Sequence, residues 1–600
     1  MTVPHGSYDA VIIGAGPVGV NVAKVLSDRG KRVLILEAGR ASGLSYDGWL
    51  SYVDTYRAAV VKEPNSPYPP NPNAPSTYSQ DIQNLRKRVP IVSGYQVEDG
   101  PLSFGSTYLR SLGGTGLHWL GTCPRMVPND FRLKSVYGVG VDWPITYDDL
   151  QPYYCKAEWA LGVSANKEEQ GHFGIWFPPD YDYPMERIPP SYSDGLYAAG
   201  AEKATVRFGD RDYGMTVTSL PQARNSIPRQ GYAVSSAYGT AHIGERCEGN
   251  ASCIPICPVQ AKYSALRTLG QMDANFYTLV TQAVASRLII NENGRIGGIE
   301  YKRYESEGSN QYQTGTVTAT LYIVAAHAVE SAKLLLASGA ANSSDQVGRN
   351  LADHPFFLTW ALNPTPVGAF RGPGQTSEIP SFRDGPFRRD FAAFRIDLGN
   401  WGWDVATFPP NSNVYELAAT NTFGKALRRK LGDEIPRQLR VGYVIEQLPE
   451  PGNRVTISRE LVDPIGCYRP IVHYNVSDYT RRAMIAANQV STSLFHAMGI
   501  QDADIRTKFT PDSPGYMTYK QPDGTVVPLS FFGSGHHMGT HRIGVSRTDS
   551  VTNRYSRSWD HENLYVVGCG GMPTTGSSNP TLTAVALALM AADDMLTQLG

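Results

Sequence analysis

Residues 8–13 of this chain, YDAVII, form an apolar run that ends in Gly14-Ala15-Gly16-Pro17-Val18-Gly19, and a second apolar run at 32–36 ends in Glu37. No other feature narrows the fold as much. A short apolar run bounded by glycines predicts a buried parallel strand. Residues 19–28 then predict a helix, with Gly30 near its end, and 32–36 a second buried strand. Strand, helix and parallel strand make a βαβ unit, the opening of a doubly wound, Rossmann-like α/β sheet. Gly14 permits the tight turn, Gly16 lets backbone approach a pyrophosphate, and Gly19 lets helix and strand pack closely. The helix N-terminus offers free N–H groups and a positive dipole end to phosphates. Glu37, 23 positions after Gly14, can accept from both ribose hydroxyls and would repel an NADP phosphate. NAD and FAD both remain open at this point, and a glycine turn without a ligand is the alternative.

A chain of 600 residues is too long for one hydrophobic core, so at least two packed lobes are expected. With 41% hydrophobic and 18% charged residues it is not disordered. The net charge is −1, from 54 basic and 55 acidic side chains, which gives no reason to expect nucleic acid or an anionic membrane surface. No run of 18 apolar residues occurs, so no transmembrane helix is expected. The N-terminus MTVPHGSYDAVIIGAG has no basic n-region. The expected location is therefore the cytoplasm, or the periplasm by co-export with a signal-bearing partner subunit.

The nucleotide-binding lobe is expected over residues 1–358. Within it, 45–95 is rich in Pro, Tyr, Ser and Asn without periodicity and reads as a lid excursion. Residues 150–161 predict a helix, and 163–235 are loop-rich. Residues 277–305 alternate like antiparallel strands, 321–325 return to a buried strand, and 329–336 predict a helix. The pattern then changes to alternating strands with amphipathic helices such as 478–498. That marks a second, antiparallel-sheet lobe over roughly 359–530, on the substrate side. Residues 531–600 hold a glycine-flanked histidine loop and then return to the first lobe through a strand at 564–567 and a helix at 582–596.

Four further clusters carry chemistry. Gly113-Gly114-Thr115-Gly116-Leu117-His118-Trp119 would let backbone lie against a planar ring, or form a turn with a packed Trp. His536-His537-Met538-Gly539-Thr540 supplies a histidine that can act as a base near neutral pH. Asn579-Pro580-Thr581 supplies an amide that can hold an alkoxide oxygen, or merely cap the final helix. Cys247, Cys253 and Cys257 form C-x5-C-x3-C followed by Pro258. Seven cysteines are an odd count, against a disulfide framework. Three thiolates on one loop can bind three irons of a cuboidal cluster. Zinc would want a fourth ligand, and no His follows closely. Three buried thiols are the plain alternative.

Together these segments resemble the glucose-methanol-choline (GMC) oxidoreductases from about Asp9 to Asp594. Asp142-Trp143-Pro144-Ile145-Thr146-Tyr147-Asp148-Asp149-Leu150 looks like that family's post-flavin segment. Val347-Gly348-Arg349-Asn350-Leu351 with Asp353-His354-Pro355 looks like its central signature. The resemblance implies an FAD-binding lobe plus an antiparallel substrate lobe, with hydride passing from a carbinol carbon to flavin N5. It puts His536 on the catalytic base and Asn579 on the second catalytic position. It puts Gly113, Gly114 and Thr115 at the flavin ring, and Val284 and Pro580 also at the cofactor. His118-Trp119 is similar to the His-Trp pair of pyranose oxidases, where the His can be bonded covalently to FAD. Pro128-Asn129-Asp130-Phe131, Ser135 to Gly140 and Ala341 to Asp345 resemble the bacterial iron–sulfur sugar dehydrogenases of the FAD glucose dehydrogenase type. In that subgroup the three cysteine positions hold a three-iron, four-sulfur cluster. The implied partners are a sugar or glycoside, a small subunit, and a cytochrome or other acceptor. The alternative is an oxidase that returns electrons to oxygen. Glu248 stands where some relatives have an adjacent Cys. Surplus length at 150–190 and 500–535 leaves substrate and docking surfaces undefined. Glucose at its anomeric carbon and a glycoside at its C3 hydroxyl are both compatible.

Overall fold

The computed structural model describes residues 7–600 apart from 42–44, 59–94, 103, 105, 107, 235–245, 248, 250–252, 254–255, 307–308, 370, 404–410, 507–508, 512 and 514. Most of the expected 45–95 excursion and part of the 245–262 cysteine loop, Glu248 included, therefore lie outside the described residues.

The two N-terminal apolar runs become neighbouring parallel strands, Tyr8–Ile13 and Val33–Leu36, with Ala10 opposite Val33 and Ile13 opposite Leu36. Helix Pro17–Asp28 connects them. It starts two residues before the expected position because Pro17 occupies the first turn, where a missing N–H leaves no bond unmade. Five parallel strands make the sheet, in the spatial order Leu564–Val566, Ala319–Val324, Tyr8–Ile13, Val33–Leu36, Tyr277–Val280. Both ends of the chain thus contribute to it. The 277–305 segment differs in part from expectation. Tyr277–Val280 is the fifth parallel strand, and Ala283–Ile290 begins a separate antiparallel sheet with Ile296–Tyr304 and Tyr312–Val317. A four-residue strand is too short for its period to reveal which sheet it joins.

The final helix, Pro580–Leu599, is apolar enough and long enough to cross a membrane. However, 67% of its most apolar stretch is buried inside the protein, where it packs against helices Pro17–Asp28 and Tyr147–Leu161. It is the core helix of the first lobe.

The second sheet runs in the order Ile505–Arg506, Pro355–Leu362, Gln438–Ile445, Phe394–Gly399, Gln375–Ile379, Thr218–Ser219, antiparallel throughout. Helix Asp478–Ala497 covers one face, burying Ala483, Met484, Ala487, Val490 and Leu494 in a core shared with Phe394, Ile396 and Leu398. Strand side chains alternate, so Arg395 and Asp397 point to the opposite face. Strand Phe532–Gly533 pairs with Pro355–Leu362, and Ala352 bridges to Met538. His354 and His536 are thereby carried on adjacent backbones.

Candidate active site

The glycines of the first loop divide into two kinds. Gly14 has φ +103°, and a Cβ there would lie 2.5 Å from the Ala325 carbonyl oxygen. A Cβ on Gly19 would run into the Gly14 carbonyl and lie 3.3 Å from Ala325 Cβ. Internal packing therefore requires both. Around Gly16 no atom of the described residues beyond its chain neighbours comes within 4 Å of a Cβ, so their packing does not require a glycine there. Glu37 closes the loop: Oε2 accepts from Ala15 N at 2.8 Å and Oε1 from Gly39 N at 2.6 Å. Burial pushes its pKa up, against the pull of those two N–H groups and Arg110. Each carboxylate oxygen keeps a lone pair for a hydroxyl donor. The second glycine cluster packs onto the first, with a Gly116 Cβ 3.0 Å from Pro17 Cγ and a Gly114 Cβ 3.7 Å from Gly16 Cα.

A cavity of about 360 Å³ is lined by Gly14, Gly16, Glu37, Gly114, Thr115, His118, Val284, His536, Asn579 and Pro580. The cofactor-binding and catalytic residues singled out in the sequence therefore line one cavity, except Gly19 and Gly113, while Cys247, Cys253 and Cys257 lie outside it. Gly113, at φ +96°, turns the chain into the short helix Gly114–Leu117. His118 is held neutral, its pKa lowered to about 4 by burial and then by Lys262. The bare Gly16, the helix N-terminus and Glu37 fit the pyrophosphate and ribose of FAD, and the glycine strip with His118 fits its ring system.

The catalytic candidates converge. His536 Nε2 and Asn579 Nδ2 lie 3.0 Å apart, and Asn579 Oδ1 is buried without a partner among the described residues. Behind them His354 Nδ1 lies 2.9 Å from His536 Nδ1, and His354 Nε2 lies 2.9 Å from the Gly576 carbonyl. Asp353 Oδ1 accepts the backbone N–H of both His354, at 2.7 Å, and His536, at 2.9 Å, clamping the two segments together. Burial, then the fields of His354, Arg395 and His537, hold the His536 pKa well below the usual imidazole value. His537 also lines the cavity, with its Nδ1 3.2 Å from His327 Nε2. His327 sits at φ +75° and stacks on Tyr108 at 4.1 Å.

Cys247, Cys253 and Cys257 are free thiols that act on one another electrostatically. Among the described residues no three His, Cys, Asp or Glu side chains converge as a single metal ion requires. A cuboidal cluster makes a different demand, since each thiolate takes its own iron and the sulfurs stand apart. Three buried basic side chains, Arg224, Lys262 and Arg267, interact electrostatically with the thiols. After burial, the charges acting on Lys262 are Cys257, Cys253, Arg224 and Cys247, and both terminal nitrogens of Arg224 lack a hydrogen-bond partner among the described residues. A buried site short of negative charge suits an anionic group. The same cations join this loop to the cavity wall. Lys262 Nζ donates to the carbonyls of Cys253 and Trp119, and Arg224 Nε donates to Leu120 O at 2.7 Å.

The sequence contains no signal for the cations, which become neighbours only on folding. His354 stands in a recognisable motif, but nothing in its spacing announces a partner 182 residues away.

A dinucleotide cradle opening onto a His–Asn pair defines an oxidoreductase acting on CH–OH groups. The chain belongs to the GMC oxidoreductase family, whose N-terminal model matches residues 110–356 and whose C-terminal model matches residues 449–588. It is 31% identical to the fructose dehydrogenase large subunit of Gluconobacter japonicus, over 99% of this chain and 98% of that protein. It is 24% identical to the C-glycoside 3-oxidase of Microbacterium trichothecenolyticum, over 97% and 95% of the two. The crystal structure of pyridoxine 4-oxidase from Mesorbium loti shares the fold, with a TM-score of 0.55 at 17% identity over 98% of this chain and 99% of that one. Family membership implies FAD.

Proposed function

We propose that this chain is an FAD-dependent dehydrogenase that oxidises a hydroxyl of a sugar or glycoside, at the glucose anomeric carbon or a glycoside C3. An iron–sulfur cluster held by Cys247, Cys253 and Cys257 would carry the electrons onward to an external acceptor. The observation that carries the reading is the His536–Asn579 pair, 3.0 Å apart on the cavity that also holds Gly14, Gly16 and Glu37. FAD supplies the hydride acceptor. His536 takes the hydroxyl proton on Nε2, and the Asn579 amide holds the oxygen as charge builds on it. Burial keeps His536 uncharged, ready to accept. A three-iron, four-sulfur cluster on Cys247, Cys253 and Cys257 would supply one-electron steps toward a small subunit or cytochrome. The names of the fructose dehydrogenase and C-glycoside 3-oxidase relatives support a sugar substrate.

The test is an absorption spectrum of the purified protein, with flavin bands bleached by a panel of hexoses and glycosides. His536→Ala should lower turnover roughly a hundredfold or more with flavin content unchanged. NAD in place of flavin, or an inactive His537→Ala beside a near-normal His536→Ala, overturns the reading. Flavin without iron, together with rapid peroxide production, turns it to an oxidase.

A further inference from the structure

Two consecutive histidines line the cavity, and the hydrogen bonds behind them differ. A carbonyl oxygen only accepts, so His354 donates from Nε2 to Gly576 O at 2.9 Å. A neutral imidazole carries one N–H, so His354 Nδ1 keeps its lone pair. His536 Nδ1, 2.9 Å from it, must be the donor. His536 therefore carries its proton on Nδ1 and presents a bare Nε2, which accepts from Asn579 Nδ2 at 3.0 Å.

The same reasoning gives the opposite result for His537. Val329 N–H donates to His327 Nδ1 at 3.3 Å, which places the His327 proton on Nε2. That proton is donated to His537 Nδ1 at 3.2 Å. His537 therefore holds its own proton on Nε2, where it has nothing to accept with. Asn579 alone cannot choose between tautomers of His536, because its amide can turn to offer either Nδ2 or Oδ1. Only the chain back to the Gly576 carbonyl decides.

We propose that His354 is a positioning residue that fixes the Nδ1–H tautomer of His536 and so makes Nε2 the base, an inference that rests on His536 being the base of the proposed oxidation. His327 fixes the reverse tautomer at His537, so that only one of two adjacent histidines can act.

The test uses the FAD-loaded full chain with ¹⁵N-labelled histidine, His536 being assigned by its loss in His536→Ala. The expected spectrum shows His536 protonated at Nδ1 and imine-like at Nε2. His354→Leu removes the acceptor and should give a mixture of tautomers, with kcat down roughly ten- to hundredfold and KM within about threefold. His354→Asn offers Oδ1 near the lost Nδ1 and should restore both the spectrum and most of kcat. An Nε2-protonated His536 in the unaltered enzyme overturns the proposal without any variant. So does a His354→Leu enzyme with kcat within twofold, or an Asn variant as slow as Leu at equal flavin content. The spectrum needs no substrate. A failed sugar assay with the expected tautomer would therefore sink the oxidation reading alone.

Discussion

Alanine at Gly16 and at Gly19 should separate a glycine kept for a ligand from one kept for packing. A Cβ on Gly19 meets the Gly14 carbonyl, with Gly14 C at 3.2 Å and Ala325 Cβ at 3.3 Å. Neither the Gly14 carbonyl nor the Ala325 methyl, which is fixed directly to its backbone, can give way, so Gly19→Ala should destabilise the flavin-free protein by about 1–3 kcal/mol, the usual range for overpacking. Gly16 has φ −75° and ψ 179° at the helix N-cap, with no atom of the described residues beyond its chain neighbours within 4 Å of a Cβ. Alanine there loses roughly 0.5–1 kcal/mol of capping preference and regains about 0.4–1 kcal/mol from a less flexible unfolded chain. The flavin-free protein should therefore melt as before. A bound pyrophosphate would meet the new methyl, and overpacking of about 1–3 kcal/mol corresponds to flavin affinity reduced roughly 5- to 150-fold. Thermal melts of stripped protein and flavin titrations give the two numbers. Flavin held by Gly16→Ala as tightly as before would refute the reasoning, as would equal destabilisation of both stripped variants.

At the cysteine loop, Cys253→Ser should leave flavin reduction by sugar intact and slow delivery to an outside acceptor, measured by stopped-flow against steady-state rates. Lys262→Met removes a buried positive charge beside the thiols, so the potential of the proposed cluster should fall in a redox titration, and an unchanged potential would detach Lys262 from it. Burial alone would raise the Glu330 pKa, but Lys333 and Arg110 outweigh it and hold it at about 2 against an ordinary 4.5. A carboxyl depressed in the folded state stabilises above the unfolded pKa, and that contribution disappears as pH falls from about 4.5 toward 2. Melting temperature should fall less steeply over that window in Glu330→Gln, and parallel curves would show that the Glu330 ion pairs with Lys333 and Arg110 contribute nothing. Asn579→Asp places a carboxylate against His536 Nε2, which raises the histidine pKa and protonates the base, so the acid limb of kcat/KM should move up in pH.

Much of the fold was legible because the parallel sheet announces itself locally. Tyr8–Ile13 and Val33–Leu36 are apolar on both faces, and their glycine loop has few other uses. The fifth strand, Tyr277–Val280, was not legible, because its four residues carry the same alternation as the antiparallel strands that follow. The site divides similarly. Gly14, Gly16 and Glu37 could be assigned from spacing, whereas His536 and Asn579, 43 residues apart, could be paired only through a resemblance. The supporting layer was invisible, since the contacts of His354 with His536 and of Lys262 with Trp119 span 182 and 143 residues.

That supporting layer also sets how the base can work. After burial, the groups acting on His536 are His354, Arg395 and His537, none of them an anion. A histidine backed by a carboxylate gains basicity from it, and one backed by a neutral imidazole and a guanidinium does not. In the proposed oxidation His536 is thus a weak base facing an alcohol, which is a far weaker acid. Full proton transfer to His536 before the carbon–hydrogen bond breaks would leave an alkoxide beside an imidazolium whose pKa is low. The transfer becomes favourable as hydride leaves, because the oxygen then becomes that of a carbonyl and its proton strongly acidic. The Asn579 amide and the fixed Nδ1–H of His536 keep donor and acceptor aligned through that interval, so the site relies on orientation more than on basicity.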